Sequence, residues 1–232
     1  MNDLTHEEMI LEVAKHLPLD LMERALFVGG SIVWLLLTDK AAPSTRATQD
    51  VDIVVDIRSN KQYRQMEKQL LTAGFLHVIG ENVPICRWQI GNVVVDIMPS
   101  EAGILGFSNR WYAEALEQRQ AVNLQDQTIN LVRAPYFLAT KIEAFLNRGK
   151  NDFLASPDME DILTIIDGRP GLTDEVKDVG ENLKTYFQEI FSGWLQNKDF
   201  LDALPGHLPP DEASQARVGI LRKRIEKLAG KI

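Results

Sequence analysis

The hydrophobic pattern of the sequence changes once, near Pro135. Before that point, short runs rich in Val and Ile alternate with helical segments, and VDIVVDI and VVVDIM are the clearest strand-like runs. After it, apolar residues follow helical spacing only, beginning with PYFLATKIEAFLNRG, which starts with Pro and ends with Gly. The pattern predicts an α/β (α+β) fold, with a mixed β-sheet domain over residues 1–133 and a helical domain over residues 134–232.

Glycines and turn residues divide the first part into elements. RALFVGG predicts a strand that ends in paired glycines, and SIVWLLL predicts the helix that follows. Gly91-Asn92 joins the strand-like runs ICRWQI and VVVDIM, and therefore predicts a two-residue hairpin. FLHVI, AVNL and INLVR predict further strands, the last two flanking Asp126-Gln127.

Composition limits the classes of partner and compartment. The chain has 232 residues, of which 45% are hydrophobic, and a formal net charge of -8. No global basic field is therefore available to hold nucleic acid, although a local basic groove remains possible. Cys86 is the single cysteine, so no intramolecular disulfide can form. The acidic, amphipathic N-terminal segment and the short apolar run at residues 31–37 indicate neither a signal peptide nor a membrane span, and we expect a cytoplasmic protein.

Three aspartates interrupt the Val-rich strands. Asp50 and Asp52 lie two residues apart, so their side chains project from one face with Cα atoms about 6.5 Å apart. Two carboxylates so close repel each other unless a cation lies between them or one is protonated. A divalent metal such as Mg²⁺, which prefers oxygen ligands, relieves that repulsion. Asp96 in VVVDIM provides a third ligand, and three aspartates could hold two metal ions; the alternative is that Asp50 and Asp52 are exposed strand-edge residues.

A second set of residues suits phosphate. Gly29 and Gly30 lead from a strand into a helix, so their backbone N–H groups and the Ser31 hydroxyl form an anion site, unless the pair is an ordinary tight turn. Lys141 and Arg148 lie on one face of a later helix. Both could reach a triphosphate in a cleft between the two domains, or belong to a solvated helix face.

Other acidic residues have structural explanations. Asp56 is best explained as a strand-end residue. Asp158 and Asp161 follow Ser156 and Pro157, which form a helix start, so their roles stay open. The four histidines show no ligand spacing, so zinc is not expected.

The order of these motifs resembles a known family. VGGS, TRATQDVDIVV, VVVDIM and ATKIEAFLNRGKNDFLASPDMEDI together resemble the nucleotidyltransferases of the DNA polymerase beta superfamily, and more closely the AbiEii/AbiGii-type toxin-like family. The resemblance covers roughly residues 25–168. It implies that Asp50 and Asp52 hold Mg²⁺, and that Asp96 completes the metal set and helps to deprotonate the acceptor.

The resemblance also assigns nucleotide-binding residues. Gly30 and Ser31 would bind the triphosphate of an NTP, and Lys141 matches a helix lysine that contacts phosphate. Gly30 and Asp50 are separated by 19 intervening residues, which is longer than in many relatives of this superfamily. The segment TDKAAPSTRAT extends that loop, and Arg46 and Thr48 are therefore expected at the rim of the site.

The function implied is Mg²⁺-dependent transfer of an NMP from an NTP, such as ATP, to a hydroxyl of RNA, protein or a small molecule. In such chemistry two metal ions bridge the phosphates while an acceptor oxygen attacks the α-phosphorus in line and pyrophosphate leaves. The family implies the toxin of a type IV toxin-antitoxin system, with an antitoxin protein as partner. The alternative is a non-catalytic nucleotide-binding or antitoxin-interacting module with the same fold.

Overall fold

A computed structural model describes residues 4–231 of the chain. Its contacts divide the chain into two compact units, the first formed by Met1–Ile32 and Arg46–Arg133 and the second by Val33–Thr45 and Ala134–Ile232. The segment Val33–Thr45, which the sequence prediction left in the first domain, therefore packs with the later helices. Its backbone explains this, because the amides of Thr38 and Asp39 both donate to the carbonyl of Gly168, at 3.0 and 2.9 Å.

The first unit is built on a seven-stranded mixed sheet with the order β3-β4-β5-β2-β1-β7-β6. Strand β2 pairs in parallel with β5 and antiparallel with β1, and β4 is antiparallel to β5. The mixed sheet and the later helices confirm the predicted α/β fold class. The strands are β1 (Ala25–Val28), β2 (Asp50–Val55), β3 (Leu76–His77), β4 (Arg87–Ile90), β5 (Val93–Pro99), β6 (Gln120–Leu124) and β7 (Gln127–Leu131).

Helices accompany the sheet and make up the regular structure of the second unit. In the first unit they are α1 (His6–His16), α2 (Leu19–Arg24), α4 (Asn60–Thr72), α5 (Ala102–Leu105) and α6 (Tyr112–Glu117). In the second unit they are α3 (Val33–Leu36), α7 (Ala134–Arg148), α8 (Pro157–Gly168), α9 (Leu172–Glu175), α10 (Glu181–Trp194), α11 (Lys198–Ala203), α12 (Glu212–Ala216) and α13 (Val218–Leu228). Short 3₁₀ turns occupy Gly30–Ile32, Val176–Asp178 and Leu204–His207. Within residues 4–231, no helix is both long enough and apolar enough to cross a bilayer.

Alternation along β2 separates the core from the polar face. Val51 and Ile53 are fully buried, whereas Asp50 and Asp52 are only partly buried. Successive side chains of a strand point to opposite faces, so the two aspartates share the face that Val51 and Ile53 do not occupy. The buried valines and isoleucines fix the register of the strand and thereby the position of the carboxylates.

The second unit has an aromatic core. Phe145 of α7, Trp194 of α10 and Phe200 of α11 contact one another directly or through Phe153, with ring centroids 5.2–5.9 Å apart. Several of these pairs are edge-to-face, the arrangement that the ring quadrupole favours. The helical spacing of the sequence after Pro135 thus reflects apolar helix faces that share this core.

Several predicted element boundaries differ from the structure, three of them for a visible physical reason. SIVWLLL forms a 3₁₀ turn and then the four-residue helix α3, because the chain turns where the amide of Thr38 pairs with Gly168. FLHVI forms only the two-residue strand β3, and Ile79 beyond it is 87% exposed. The turn between β6 and β7 lies at Gln125-Asp126 instead of Asp126-Gln127, since Gln127 already pairs with Leu124.

The burial of Ile53 predicts a stability difference between two Ile→Ala substitutions. Ile53→Ala removes buried methyl groups from a central strand and should lower the free energy of unfolding by about 2–5 kcal/mol. Ile79→Ala, at an exposed position, should change it by less than about 0.5 kcal/mol. Urea titration followed by circular dichroism measures both, and equal effects of the two substitutions would contradict the strand assignment.

Candidate active site

The pairing of four neighbouring strands brings the predicted acidic residues into one row. Val28 of β1 pairs with Asp52 of β2, Asp52 pairs with Asp96 of β5, and Asp96 pairs with Arg87 of β4. Residues in register on adjacent strands lie about 4.8 Å apart across the sheet and project from the same face. Asp50 is two residues from Asp52 and shares that face, so three carboxylates and one guanidinium converge there.

Arg87 binds two of the three carboxylates. Its Nε donates to Asp96 Oδ1 at 2.8 Å, and its Nη2 donates to Asp96 Oδ2 at 2.7 Å and to Asp50 Oδ2 at 2.8 Å. The contact with Asp96 is bidentate, the geometry in which a guanidinium binds a carboxylate most strongly. The hydrogen bond to Asp96 raises the pKa of Arg87 above its ordinary value, with burial acting in the opposite direction. Arg87 is thus the cation that offsets the repulsion between Asp50 and Asp96.

The glycine turn lies against the third carboxylate. Gly29 has φ +76°, and a Cβ at this position would overlap the carboxylate of Asp52. A Cβ on Gly30 would come within 2.6 Å of the Arg46 Nη2 and 2.7 Å of the Thr48 Cγ2. Position 29 therefore requires glycine for its left-handed backbone and for the close approach of Asp52, whereas a side chain at position 30 would displace Arg46 and Thr48. Arg46 and Thr48, expected at the rim, lie directly over the turn.

The Ser31 hydroxyl is buried and has no hydrogen-bond partner among residues 4–231. Its side chain is fully buried, and its Oγ makes no hydrogen bond within the described residues. Leaving such a group unpaired costs about 1–3 kcal/mol, so an unpaired buried hydroxyl calls for an explanation, such as a bound water, ion or ligand. The residue next to the glycine pair therefore carries a donor that no described residue uses.

The positions of the carboxylate oxygens bear on whether a metal ion could bind at this face. Across residues 4–231, no group of three or more His, Cys, Asp or Glu side chains is arranged so that it could hold a metal ion. The same Arg87 nitrogen nevertheless lies 2.8 Å from an oxygen of Asp50 and 2.7 Å from an oxygen of Asp96. These oxygens converge on one point, and carboxylate oxygens are the ligands that Mg²⁺ prefers. Asp50 and Asp96 thus offer two oxygen atoms of a suitable chemical type at the point where the guanidinium lies, and metal binding there stays a prediction.

A second ionic cluster forms within the helical unit. The Nζ of Lys141 lies 2.7 Å from Asp161 Oδ2 and 3.4 Å from Asp158 Oδ1, with all three side chains less than 10% exposed. Arg148 donates two hydrogen bonds to Asp158, at 2.8 and 2.9 Å, from a largely exposed side chain. Burial raises the pKa of Asp158, but the hydrogen bond from Arg148 and the charge of Lys141 outweigh it, so the net pKa is lowered.

The predicted site residues are thus distributed over two clusters. The first unit brings together Gly29, Gly30, Ser31, Asp50, Asp52 and Asp96. The second unit joins Lys141 and Arg148 to the two acids whose roles the sequence left open. Their assignment to nucleotide and metal binding stays a prediction.

Sequence reasoning missed Arg87, although a signal for it was present. Counting outward from the two-residue hairpin at Gly91-Asn92 pairs Ile90 with Val93 and, three residues further along each strand, Arg87 with Asp96. The predicted hairpin therefore already fixed an arginine opposite the predicted metal ligand.

Comparisons with known proteins give the fold. No protein-family model and no curated protein matches the sequence. Among solved structures, the chain is similar to the crystal structure of an antigenic nucleotidyltransferase-like protein from Paracoccidioides brasiliensis, with a TM-score of 0.51, 20% sequence identity, and coverage of 86% of this chain and 93% of that chain. It is also similar to JHP933 from Helicobacter pylori, with a TM-score of 0.46, 10% identity, and coverage of 97% and 92%. The chain has a nucleotidyltransferase-like fold; its relation to AbiEii-type proteins stays a prediction.

The buried position of Lys141 predicts a large effect on stability. Lys141→Met leaves Asp158 and Asp161 without their buried ammonium partner, and should lower the free energy of unfolding of the helical unit by about 3–5 kcal/mol. Lys177→Met is the matched control, because the Lys177–Asp174 pair is exposed and should contribute nothing measurable. Denaturant unfolding of both variants checks this, and a Lys141→Met protein as stable as wild type would show that the ion pairs contribute little.

Proposed function

We propose that the first unit catalyses Mg²⁺-dependent transfer of an NMP from an NTP, such as ATP, to an acceptor hydroxyl. One observation carries the proposal: Asp52 and Asp96 are directly paired on adjacent parallel strands, with Asp50 on the same face and the Gly29 turn against Asp52. A purely structural sheet does not need three carboxylates on one face, since like charges this close are unfavourable without a cation. The nucleotidyltransferase-like fold supports the same interpretation.

Each group on this face has a proposed role. Asp50, Asp52 and Asp96 would hold two Mg²⁺ ions through their carboxylate oxygens. When bound, the ions would neutralise the phosphates and activate the acceptor oxygen for in-line attack on the α-phosphorus. Asp96, which is buried, is also proposed to take the proton of the acceptor hydroxyl.

Phosphate binding is assigned to the turn and to the second cluster. The backbone amides of Gly29 and Gly30 and the unpaired Ser31 hydroxyl would donate to the triphosphate. Lys141 and Arg148 are proposed to contact phosphate as well, which requires them to exchange contacts with Asp158 or Asp161 for contacts with the nucleotide.

The proposals about the acceptor and about the biological setting are based on the sequence alone. A net charge of -8 slightly favours a protein or small-molecule acceptor over RNA. The AbiEii/AbiGii-type resemblance supports a toxin role with an antitoxin partner in the cytoplasm. Both proposals depend on the transfer activity.

A second candidate is a non-catalytic nucleotide-binding or antitoxin-interacting module. The specific observation in its favour is Arg87, which supplies from the chain itself the positive charge that Asp50 and Asp96 need. A module of this kind would bind an NTP through the Gly29–Ser31 turn without transferring its NMP group to an acceptor.

Removal of a single carboxylate tests the proposed activity. The Asp52→Asn side chain keeps the shape of aspartate and loses its charge, so NMP transfer should fall at least about a hundredfold because one metal contact is lost. The measurement is incubation of the purified protein with each α-labelled NTP, Mg²⁺ and cell lysate, followed by separation of RNA, protein and small molecules.

Asp56→Asn is the matched control. Asp56 lies on the same segment but pairs with Arg58 at 2.9 Å, so its loss should leave transfer intact. Full transfer by the Asp52→Asn protein would refute the assignment. NTP binding without label in any fraction for the wild-type protein would favour the module.

A further inference from the structure

Arg87 lies at the point where two predicted metal ligands converge. Its Nη2 is within 2.8 Å of oxygens from both Asp50 and Asp96, and its Nε completes a bidentate contact with Asp96. Side-chain exposure is 28% for Arg87, 12% for Asp96 and 34% for Asp50, so the contact is partly shielded from water. Shielding from water strengthens the attraction between the Arg87 guanidinium and the two carboxylates. It equally strengthens the repulsion between the carboxylates that would follow if the guanidinium were removed.

A metal ion and the guanidinium cannot use this point together. Mg²⁺ binds its oxygen ligands at about 2.0–2.1 Å, well inside the distance at which a hydrogen-bonding nitrogen approaches the same oxygens. Two cations held by the same pair of oxygens would also repel each other at a separation of a few ångströms. Occupation by one therefore requires removal of the other.

The local structure allows the Arg87 side chain to move while its strand stays in place. Cys86 and Trp88, its neighbours, are 3% and 2% exposed and anchor the backbone in the core. The backbone of this segment is further held by the amide of Ile97, which donates to the carbonyl of Cys86 at 2.8 Å. The guanidinium, in contrast, ends a flexible stem and is partly exposed, so it can turn outward without disturbing the sheet.

We propose that Arg87 is a built-in counter-ion of the carboxylate site and that a divalent metal binds by displacing its guanidinium from Asp50 and Asp96. The proposal rests on the proposed function insofar as it takes these two aspartates as metal ligands. It adds a regulation of that site: metal affinity is lowered by competition with the chain's own cation. Without metal, the same contact keeps the carboxylates from repelling each other.

Metal binding by Arg87 variants tests the competition directly. The probe is Mn²⁺ alone, titrated into the full chain without nucleotide and followed by calorimetry and by the electron paramagnetic resonance signal of free Mn²⁺. Arg87→Met keeps a similar stem and removes the competing charge, so its Mn²⁺ affinity should exceed that of wild type by at least about tenfold. The additional substitution Asp96→Asn should abolish that gain, because it removes a ligand at the same point.

Arg58→Met is the matched control. Arg58 pairs with Asp56, outside the predicted metal set, and its removal should leave the Mn²⁺ affinity at the wild-type value. An Arg87→Met protein that binds Mn²⁺ no more tightly than wild type, or that fails to bind it, would overturn the proposal. An equal gain in the Arg58→Met protein would also overturn it, since the effect would then be one of net charge.

Folding of the variant is part of the test. If Arg87→Met unfolds without metal because its carboxylates repel, Mn²⁺ should restore its circular dichroism spectrum while NaCl at equal ionic strength should not. Absence of such recovery would count against the proposal. The NMP-transfer assay on the wild-type protein tests the proposed function separately. If Arg87→Met binds Mn²⁺ more tightly but the wild-type protein transfers no NMP, only the proposed function is refuted. If the wild-type protein transfers NMP but Arg87→Met binds Mn²⁺ no more tightly, only the competition is refuted.

Discussion

The repulsion between three carboxylates on one sheet face is the constraint on which the rest of the site depends. Asp52 and Asp96 are paired across β2 and β5, and Asp50 lies two residues along the same strand. Buried side chains on the opposite face fix the register of these strands, so the carboxylates cannot separate by a shift of the sheet. A cation has to compensate them, and in this structure the guanidinium of Arg87 does so for two of the three.

The face that carries the carboxylates is also closely packed. The turn after β1 approaches the Asp52 carboxylate so closely that only glycine fits at position 29, and Arg46 brings a further guanidinium over Gly30. Positive groups and backbone donors thus surround the acidic row on several sides. Under the proposed function, an anion and a metal bound here together would each reduce the electrostatic cost of binding the other.

The parts of the fold that local pattern determines could be predicted from the sequence. The Val-rich strands that carry the aspartates, the hairpin at Gly91-Asn92 and the helical character after Pro135 all follow from periodicity and turn residues. Contacts between distant segments could not be predicted in this way. The pairing of Thr38 with Gly168, which shortens the helix after the glycine turn, joins segments 130 residues apart. The ion pairs that bury Lys141 likewise depend on how α7 packs on α8. Arg87 is an intermediate case, because the hairpin register implies its position, whereas the pattern of aspartates by itself points to a metal ion as the compensating cation.

The central claim is that the acidic row is a metal site whose counter-ion is Arg87 when no metal is bound. A crystal structure of the full chain with Mn²⁺ and a non-hydrolysable NTP analogue, recorded at a wavelength that reveals manganese, tests it most directly. The claim predicts an anomalous peak within direct coordination distance of oxygens of Asp50 and Asp96, with the Arg87 guanidinium turned away from both. A guanidinium still bridging the two carboxylates, with manganese bound elsewhere or not at all, would contradict it.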